Sequence, residues 1–215
     1  MGYKLIYFDA KGRAEGLRLL LTFAGVDWED QRIQMSDWPA LKTQHLYGQL
    51  PCLEKDGKKL YQTSAIFRFL GAELGLVPKD GWEAGKADEI VTALEELFTA
   101  AILPIVLVKE DKTKLKTVYE EKMENVVVPR FKIFDDFLNK QASGSLAAEI
   151  SYADFAFYNY MQALIFMLEP DMTVFPRINA LLAKVETLPK VSEWVTANKD
   201  VIFASTMKTS LKSLI

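Results

Sequence analysis

The 215-residue chain balances 26 Lys and Arg against 29 Asp and Glu, for a net charge of −3, and half of its residues are apolar. That length and composition suit one large or two small folded domains and exclude intrinsic disorder, while the acidic balance argues against a nucleic-acid partner. With one Cys and one His the chain can build neither a disulfide framework nor a zinc site, so no metal is expected, and any Ser-His-Asp or Cys-His chemistry would rest on His45 alone.

Met1–Phe8 lacks the apolar run of a signal peptide. The longest apolar stretch, Ala100–Val108, contains Pro104 and falls short of the roughly 20 residues that span a bilayer. Leu211–Ile215 carries no prenylation or retention signature. A soluble cytoplasmic protein with no membrane partner is expected.

In chain order, Tyr3–Phe8 is short and rich in β-formers and reads as a strand. A helix follows from Arg13, with Leu17, Leu20, Leu21 and Ala24 on one face and Gly25 as its stop. Trp28–Ile33 is a second strand, and residues 34–50 are left as a gap. Pro51–Glu54 and Lys59–Tyr61 flank Asp56-Gly57 and predict a hairpin with a type I′ turn. Thr63 or Ser64 is placed as the cap of a helix over Ala65–Leu74, ended by Gly75 and Pro78.

Leu76–Gly85 then reads as a linker. Ile90, Leu94, Leu97, Phe98 and Ala101 form a helical stripe with a kink expected at Pro104. Lys114–Leu138 is a long helical stretch interrupted at Pro129, and the Lys109–Lys116 run is a solvated face. Ser151-Tyr152-Ala153-Asp154 resembles a capping box that opens an apolar helix to Leu168, the expected centre of an all-helical second domain. Arg177–Leu188 and Val191–Asn198 are further helices separated by Pro189.

Helix N-termini and strand ends in such an α/β unit bind small anions. One candidate is the turn Asp9-Ala10-Lys11-Gly12-Arg13, with Tyr7 just before it. The other is Gln62-Thr63-Ser64, whose amide, hydroxyls and free N–H groups suit a carboxylate. Between them lies Gln49-Leu50-Pro51, where a cis proline would expose the Leu50 backbone to an extended peptide. Trp38 and Lys42 add an indole N–H and a cation. Together these groups suit a small peptide with more than one carboxylate. Singly, each has an ordinary alternative: a core tyrosine, a helix cap, an interrupted ladder, two surface cations. The joint spacing carries the case.

Tyr3–Phe8, Gly12-Arg13-Ala14-Glu15, Asp37-Trp38-Pro39, Gly48-Gln49-Leu50-Pro51 and Gln62-Thr63-Ser64-Ala65-Ile66, in that order and spacing, resemble the cytosolic glutathione S-transferases. The resemblance is to the sigma class above all, which includes glutathione-dependent prostaglandin D synthases and lens S-crystallins, and it covers nearly the whole chain. It implies an α/β thioredoxin-like N-terminal domain over residues 1–77, with Pro51 cis, followed by an all-α C-terminal domain over residues 82–215. It implies glutathione as cosubstrate, a hydrophobic electrophile as second substrate, a role in detoxification and a homodimer. Tyr7 would donate a hydrogen bond to the glutathione sulfur and Arg13 would lie beside the thiolate. The Leu50 backbone would pair with the cysteinyl unit, Gln62 and Thr63 would hold the γ-glutamyl carboxylate, and Trp38, Lys42 and Gln49 the glycyl end. Phe8, Phe98 and Leu103 fall where the family places its electrophile pocket. A glutathione-dependent prostaglandin isomerase and a non-catalytic crystallin or carrier are the alternatives.

The chain also departs from the pattern. Thr63 stands for the usual Ser, Thr92 for an Asp that reaches the partner subunit, and Ala147-Ala148 for Gly-Asp. Leu46-Tyr47-Gly48 stands for Pro-Phe-Gly, which makes Tyr47 the aromatic key into the other subunit. His45 is read as a solvated loop residue and Cys52 as buried and inert. Val201, Ile202 and Phe203 are placed over the electrophile pocket, with a disordered tail as the alternative.

Overall fold

The structure is a computed structural model and describes residues 2–203 and 210–214. Met1, residues 204–209 and Ile215 lie outside the described residues, and with them the corresponding parts of the reading of 82–215 as a helical domain and of Leu211–Ile215 as a tail without a lipidation signature.

β1 (Tyr3–Phe8) leads into α1 (Glu15–Ala24), which returns the chain to β2 (Trp28–Ile33) alongside and parallel to β1. The crossover through a helix is what makes that pair parallel. Residues 34–50, without enough length for a readable period, form a one-turn helix α2 (Trp38–Leu41) and two 3₁₀ turns, Lys42–Gln44 and Leu46–Gly48. β3 (Cys52–Lys55) and β4 (Lys58–Tyr61) are the expected hairpin, and both central residues, Asp56 (φ 50°) and Gly57 (φ 73°), take the left-handed conformation that a type I′ turn demands. The sheet runs β2-β1-β3-β4, with Leu5 opposite Asp30 on one side and Leu53 on the other.

α3 (Thr63–Glu73) follows, and here the expected cap is corrected. The capping position is Gln62, at φ 72°, and no side chain bonds the first turn. Thr63 is already helical and buried, and the Ser64 hydroxyl donates to Glu95 instead. The linker is also shorter than read. α4 (Gly81–Leu107) starts inside it, because the Asp80 carboxylate accepts the N–H groups of Trp82 and Glu83, each at 3.0 Å.

α4 runs on through Pro104. It alone among the described helices has the length and apolar content of a membrane span, yet its stripe Ala87, Ile90, Leu94, Leu97, Ala101 and Ile105 is buried against its neighbours. α5 (Lys112–Lys122) and α6 (Val128–Asn139) are separated by a π turn over Met123–Val127, so the interruption precedes Pro129. A proline removes one N–H and its ring collides with the carbonyl four residues back, which the wider π turn accommodates.

α7 (Tyr152–Leu168) is buried along nearly its whole length, and α8 (Pro176–Glu186) and α9 (Val191–Ala197) complete the helical layer. The capping box is present: the Ser151 N–H and hydroxyl donate to Asp154 Oδ2 at 2.8 and 3.0 Å, and the Leu146 N–H donates to Oδ1 at 2.9 Å. α7 packs on α4 and also on α1 and α3, so one apolar core joins the sheet layer to the helical layer.

Two glycines permit that approach. A Cβ at Gly16 would meet the Phe155 carbonyl at 2.5 Å, and one at Gly71 would meet the Tyr152 ring at 2.7 Å. Overpacking at such a contact costs about 1–3 kcal/mol. Gly16→Ala is therefore expected to lower the unfolding free energy by that amount, read as a lower urea midpoint at an unchanged m-value, whereas an unaltered midpoint would mean that α1 and α7 separate freely.

Candidate functional site

A groove of about 410 Å³ opens where the end of β1, the residue 38–50 region and the start of α3 converge. Phe8, Arg13, Trp38, Gln49, Leu50, Pro51, Gln62 and Thr63 line it, so most of the residues predicted from sequence meet in one place. The volume lies within the 300–1,000 Å³ range of small-molecule sites.

The α3 end of the groove is built for an anion. The first turn has no side-chain cap, so its N–H groups carry unanswered partial positive charge. Gln62 is held at positive φ beside it, with its Nε2 donating to Gln49 Oε1 at 3.4 Å across the groove. Next to it, the Leu50–Pro51 peptide is cis, and the β1–β3 ladder starts only at Cys52, which leaves the Leu50 backbone outside the sheet.

Tyr7 lies behind the groove wall, only 8% exposed. Its hydroxyl oxygen accepts the Arg13 N–H at 3.1 Å, so the phenolic proton remains free to be donated. Burial pushes the Tyr7 phenol above its ordinary value, against the opposing Arg13 N–H bond and the charges of Arg13 and Arg18. At neutral pH Tyr7 is therefore a donor and not a base. The Arg13 guanidinium, half-buried, lies over the Phe98 ring at 5.4 Å and pairs with Glu95 of α4 at 3.4 Å.

The remaining predicted residues lie as follows. Phe8 packs edge-on to Trp38 at 5.4 Å. Lys42 is exposed, lies along Gly48 and is outside the groove lining. Phe98 reaches the site only through Arg13, and Leu103 is 52% exposed farther along α4, so neither lines the groove. Thr92 is exposed and folds its hydroxyl back onto the Asp88 carbonyl at 2.9 Å. Val201, Ile202 and Phe203 do not line the groove either: the carbonyls of Ile202 and Phe203 accept the N–H groups of Lys11 and Gly12.

Sequence reasoning missed several groups. Tyr61 and Gly48 line the groove. Glu95 receives Arg13 on one oxygen and the Ser64 hydroxyl on the other, encounters between residues 82 and 31 apart that no spacing announces. Arg18 is completely buried beneath the turn after β1, and its only trace in the sequence is the Glu15–Arg18 pair one turn apart.

His45 lies in the loop as expected but is not fully solvated. It is half-buried, with its ring 5.5 Å from that of Trp38 and 6.1 Å from that of Tyr61, and Nδ1 has no partner. Burial, then the charge of Lys59, pushes the imidazole below its ordinary value. Cys52 is fully buried as expected, and burial pushes its thiol up.

A sequence model of the glutathione S-transferase N-terminal domain matches residues 3–72, and one of the C-terminal domain of the same family matches residues 99–198. Glutathione S-transferase 1 of Ascaris suum is 32% identical over 203 residues, which is 90% of this chain and 95% of that protein. Among solved structures, the prostaglandin synthase D of Nilaparvata lugens superposes with a TM-score of 0.82 at 32% identity, covering 91% of this chain and 98% of its own. A structure described as a monomeric glutathione S-transferase from the hookworm Necator americanus gives 0.77 at 30% identity, with coverages of 92% and 97%.

The chain's single imidazole offers a direct check of the loop. A group whose folded-state value is depressed adds stability that is present above its unfolded value, near 6.5, and is lost as pH falls through the folded one. The one histidine resonance is expected to titrate below its ordinary value, and His45→Gln should flatten the loss of stability in that window. A resonance titrating at or above the ordinary value would contradict the packing.

Proposed function

The chain belongs to the glutathione S-transferase family, and from that premise we propose that its groove binds glutathione, ionises the thiol and transfers it to apolar electrophiles. The observation that carries this reading is the convergence, at one groove, of an uncapped helix start, an unladdered backbone at a cis proline and, just behind the wall, a phenolic proton left free. The γ-glutamyl carboxylate goes to Gln62, Thr63 and the start of α3. The cysteinyl unit pairs with the Leu50 backbone next to Pro51, and the glycyl carboxylate goes to Trp38, Lys42 and Gln49. The sulfur then faces Tyr7 and Arg13, and the electrophile comes from the side of Phe8, Phe98 and Leu103.

The division of labour follows from acidity. A free thiol ionises near 8.5, so only a few per cent is thiolate at neutral pH. A hydrogen bond from a neutral phenol to the anion, with a guanidinium beside it, supplies roughly 2–3 kcal/mol, which lowers the thiol by about two units. The raised phenol value suits Tyr7 to this work, since a tyrosinate would repel the thiolate.

We further assign the chain to the sigma-like type, acting in the cytoplasm in detoxification and divided at residues 77 and 82 into glutathione-binding and electrophile-binding domains. We propose a homodimer with neither nucleic acid nor membrane as partner. Tyr47, 65% exposed at φ 66°, supports that assembly, because an aromatic ring held out at positive φ suits insertion into a second copy. The likeness to a prostaglandin synthase structure favours isomerisation of a prostaglandin endoperoxide as a second reading, since the same thiolate would serve it.

Tyr7→Phe is expected to lower kcat for conjugation to an aryl halide by about 10- to 100-fold, as losing one charged hydrogen bond does, with the glutathione Kd nearly constant. Unchanged turnover would remove Tyr7 from the reaction. A panel of an aryl halide, a hydroperoxide and prostaglandin H2 separates transferase from isomerase. In sedimentation, Tyr47→Ala should convert a dimer to a monomer, and a wild type that sediments as a monomer ends the dimer assignment.

A further inference from the structure

Beyond α9 the chain folds back onto the turn that carries Arg13, and we infer that residues 198–203 are a strap that positions this turn for thiol activation, with Ile202 and Phe203 as positioning residues. The inference rests on the glutathione reading of the groove.

Three ties join the segment to the turn. Arg32 on β2 donates to Asp9 at 3.1 Å and to Asn198 at 3.0 Å, which links the two segments at one end. The Lys11 N–H donates to the Ile202 carbonyl at 2.9 Å, and the Gly12 N–H donates to the Phe203 carbonyl at 2.7 Å. The Phe203 ring is anchored in turn by stacking on Phe166 of α7, with centroids 5.4 Å apart and planes 19° apart.

What the strap holds is the backbone against the phenol. Gly12 adopts φ +42°, and a Cβ there would lie 2.6 Å from the Tyr7 hydroxyl oxygen. The next residue contributes the N–H that Tyr7 accepts at 3.1 Å. That bond occupies the phenolic oxygen from one side and so directs its proton outward. If the Gly12 N–H loses its acceptor, the turn, still gripped at Ala10 and Lys11, loosens at Gly12, the Arg13 N–H shifts off the phenol, and the guanidinium moves with it. None of the strap residues touches the groove, so glutathione binding should survive while ionisation of its sulfur suffers.

The full-length chain carrying Phe203→Ser tests this, with Phe203→Tyr as the variant that keeps the stacked ring and Phe166→Leu as the second way to break the stack. The ultraviolet band of the thiolate is followed against pH in the complex with glutathione, beside kcat, KM and the thermal midpoint. Phe203→Ser and Phe166→Leu are expected to raise the ionisation point of the bound thiol by about one unit. At pH below that point they should cut kcat roughly tenfold, a loss that disappears at alkaline pH, with the KM for glutathione within twofold. Phe203→Tyr should behave as wild type. A loss of the same size at every pH, a loss confined to KM, or no loss at all overturns the strap. A wild-type chain that binds glutathione without ionising it, or does not bind it, overturns the reading of the groove, and the strap with it.

Discussion

A buried guanidinium holds the turn between β1 and α1, and the chemistry of the groove hangs from that turn. Arg18 is inaccessible to solvent; it donates to the Ala10 carbonyl at 2.7 Å and the Phe8 carbonyl at 3.3 Å, and it pairs with Glu15 at 3.3 Å and Asp30 at 3.0 Å. A charge this deep is tolerated only when paired and hydrogen-bonded on most of its donors, and removing it would take a donor from Glu15, Asp30 and the Ala10 and Phe8 carbonyls at once. The shape it imposes puts Gly12 at positive φ against Tyr7 and aims the Arg13 N–H at the phenol.

The helical layer completes what the sheet layer begins. The Asn159 side chain on α7 accepts the Gly16 N–H at 2.9 Å, so one of the open donors of α1 is capped from the other layer. Glu95 on α4 ties Arg13 to Ser64, which joins the proposed thiol end of the groove to the proposed carboxylate end. The Trp194 indole N–H, from α9, donates to Glu15 at 3.0 Å beside the Arg18 pair. Groove geometry is thus a property of the interlayer contact, although nearly every lining residue belongs to the sheet layer.

Elements with a strong local signal were legible. β1, α1 and the β3–β4 hairpin follow from a short run of β-formers, an apolar stripe and Asp-Gly turn chemistry, and the capping box of α7 from Ser151 and Asp154 alone. The failures share a cause in partners that only the folded chain brings together or selects. Ser64 left α3 uncapped because Glu95 took its hydroxyl. Asp80 looked like linker and proved to be the cap of α4. His45 was read as solvated from its place in a loop, while its neighbours in space include the rings of Trp38 and Tyr61.

By itself, the sequence determined the class of chemistry and most of the residues that meet in the groove. One cysteine and one histidine leave little room for thiol, imidazole or zinc chemistry of the chain's own, and the motifs at residues 7–13, 49–51 and 62–63, which carry the resemblance to a family that imports a thiol, are local enough to be read in place. Only the tertiary structure decided how those motifs are held: the Tyr7 proton freed by an N–H from Arg13, the Arg13 side chain set by Glu95, the turn gripped by Arg18 below and by Ile202 and Phe203 alongside. These are contacts between residues distant in sequence or between backbone groups that every residue carries. No periodicity or spacing encodes such contacts, because they exist only once the layers have packed.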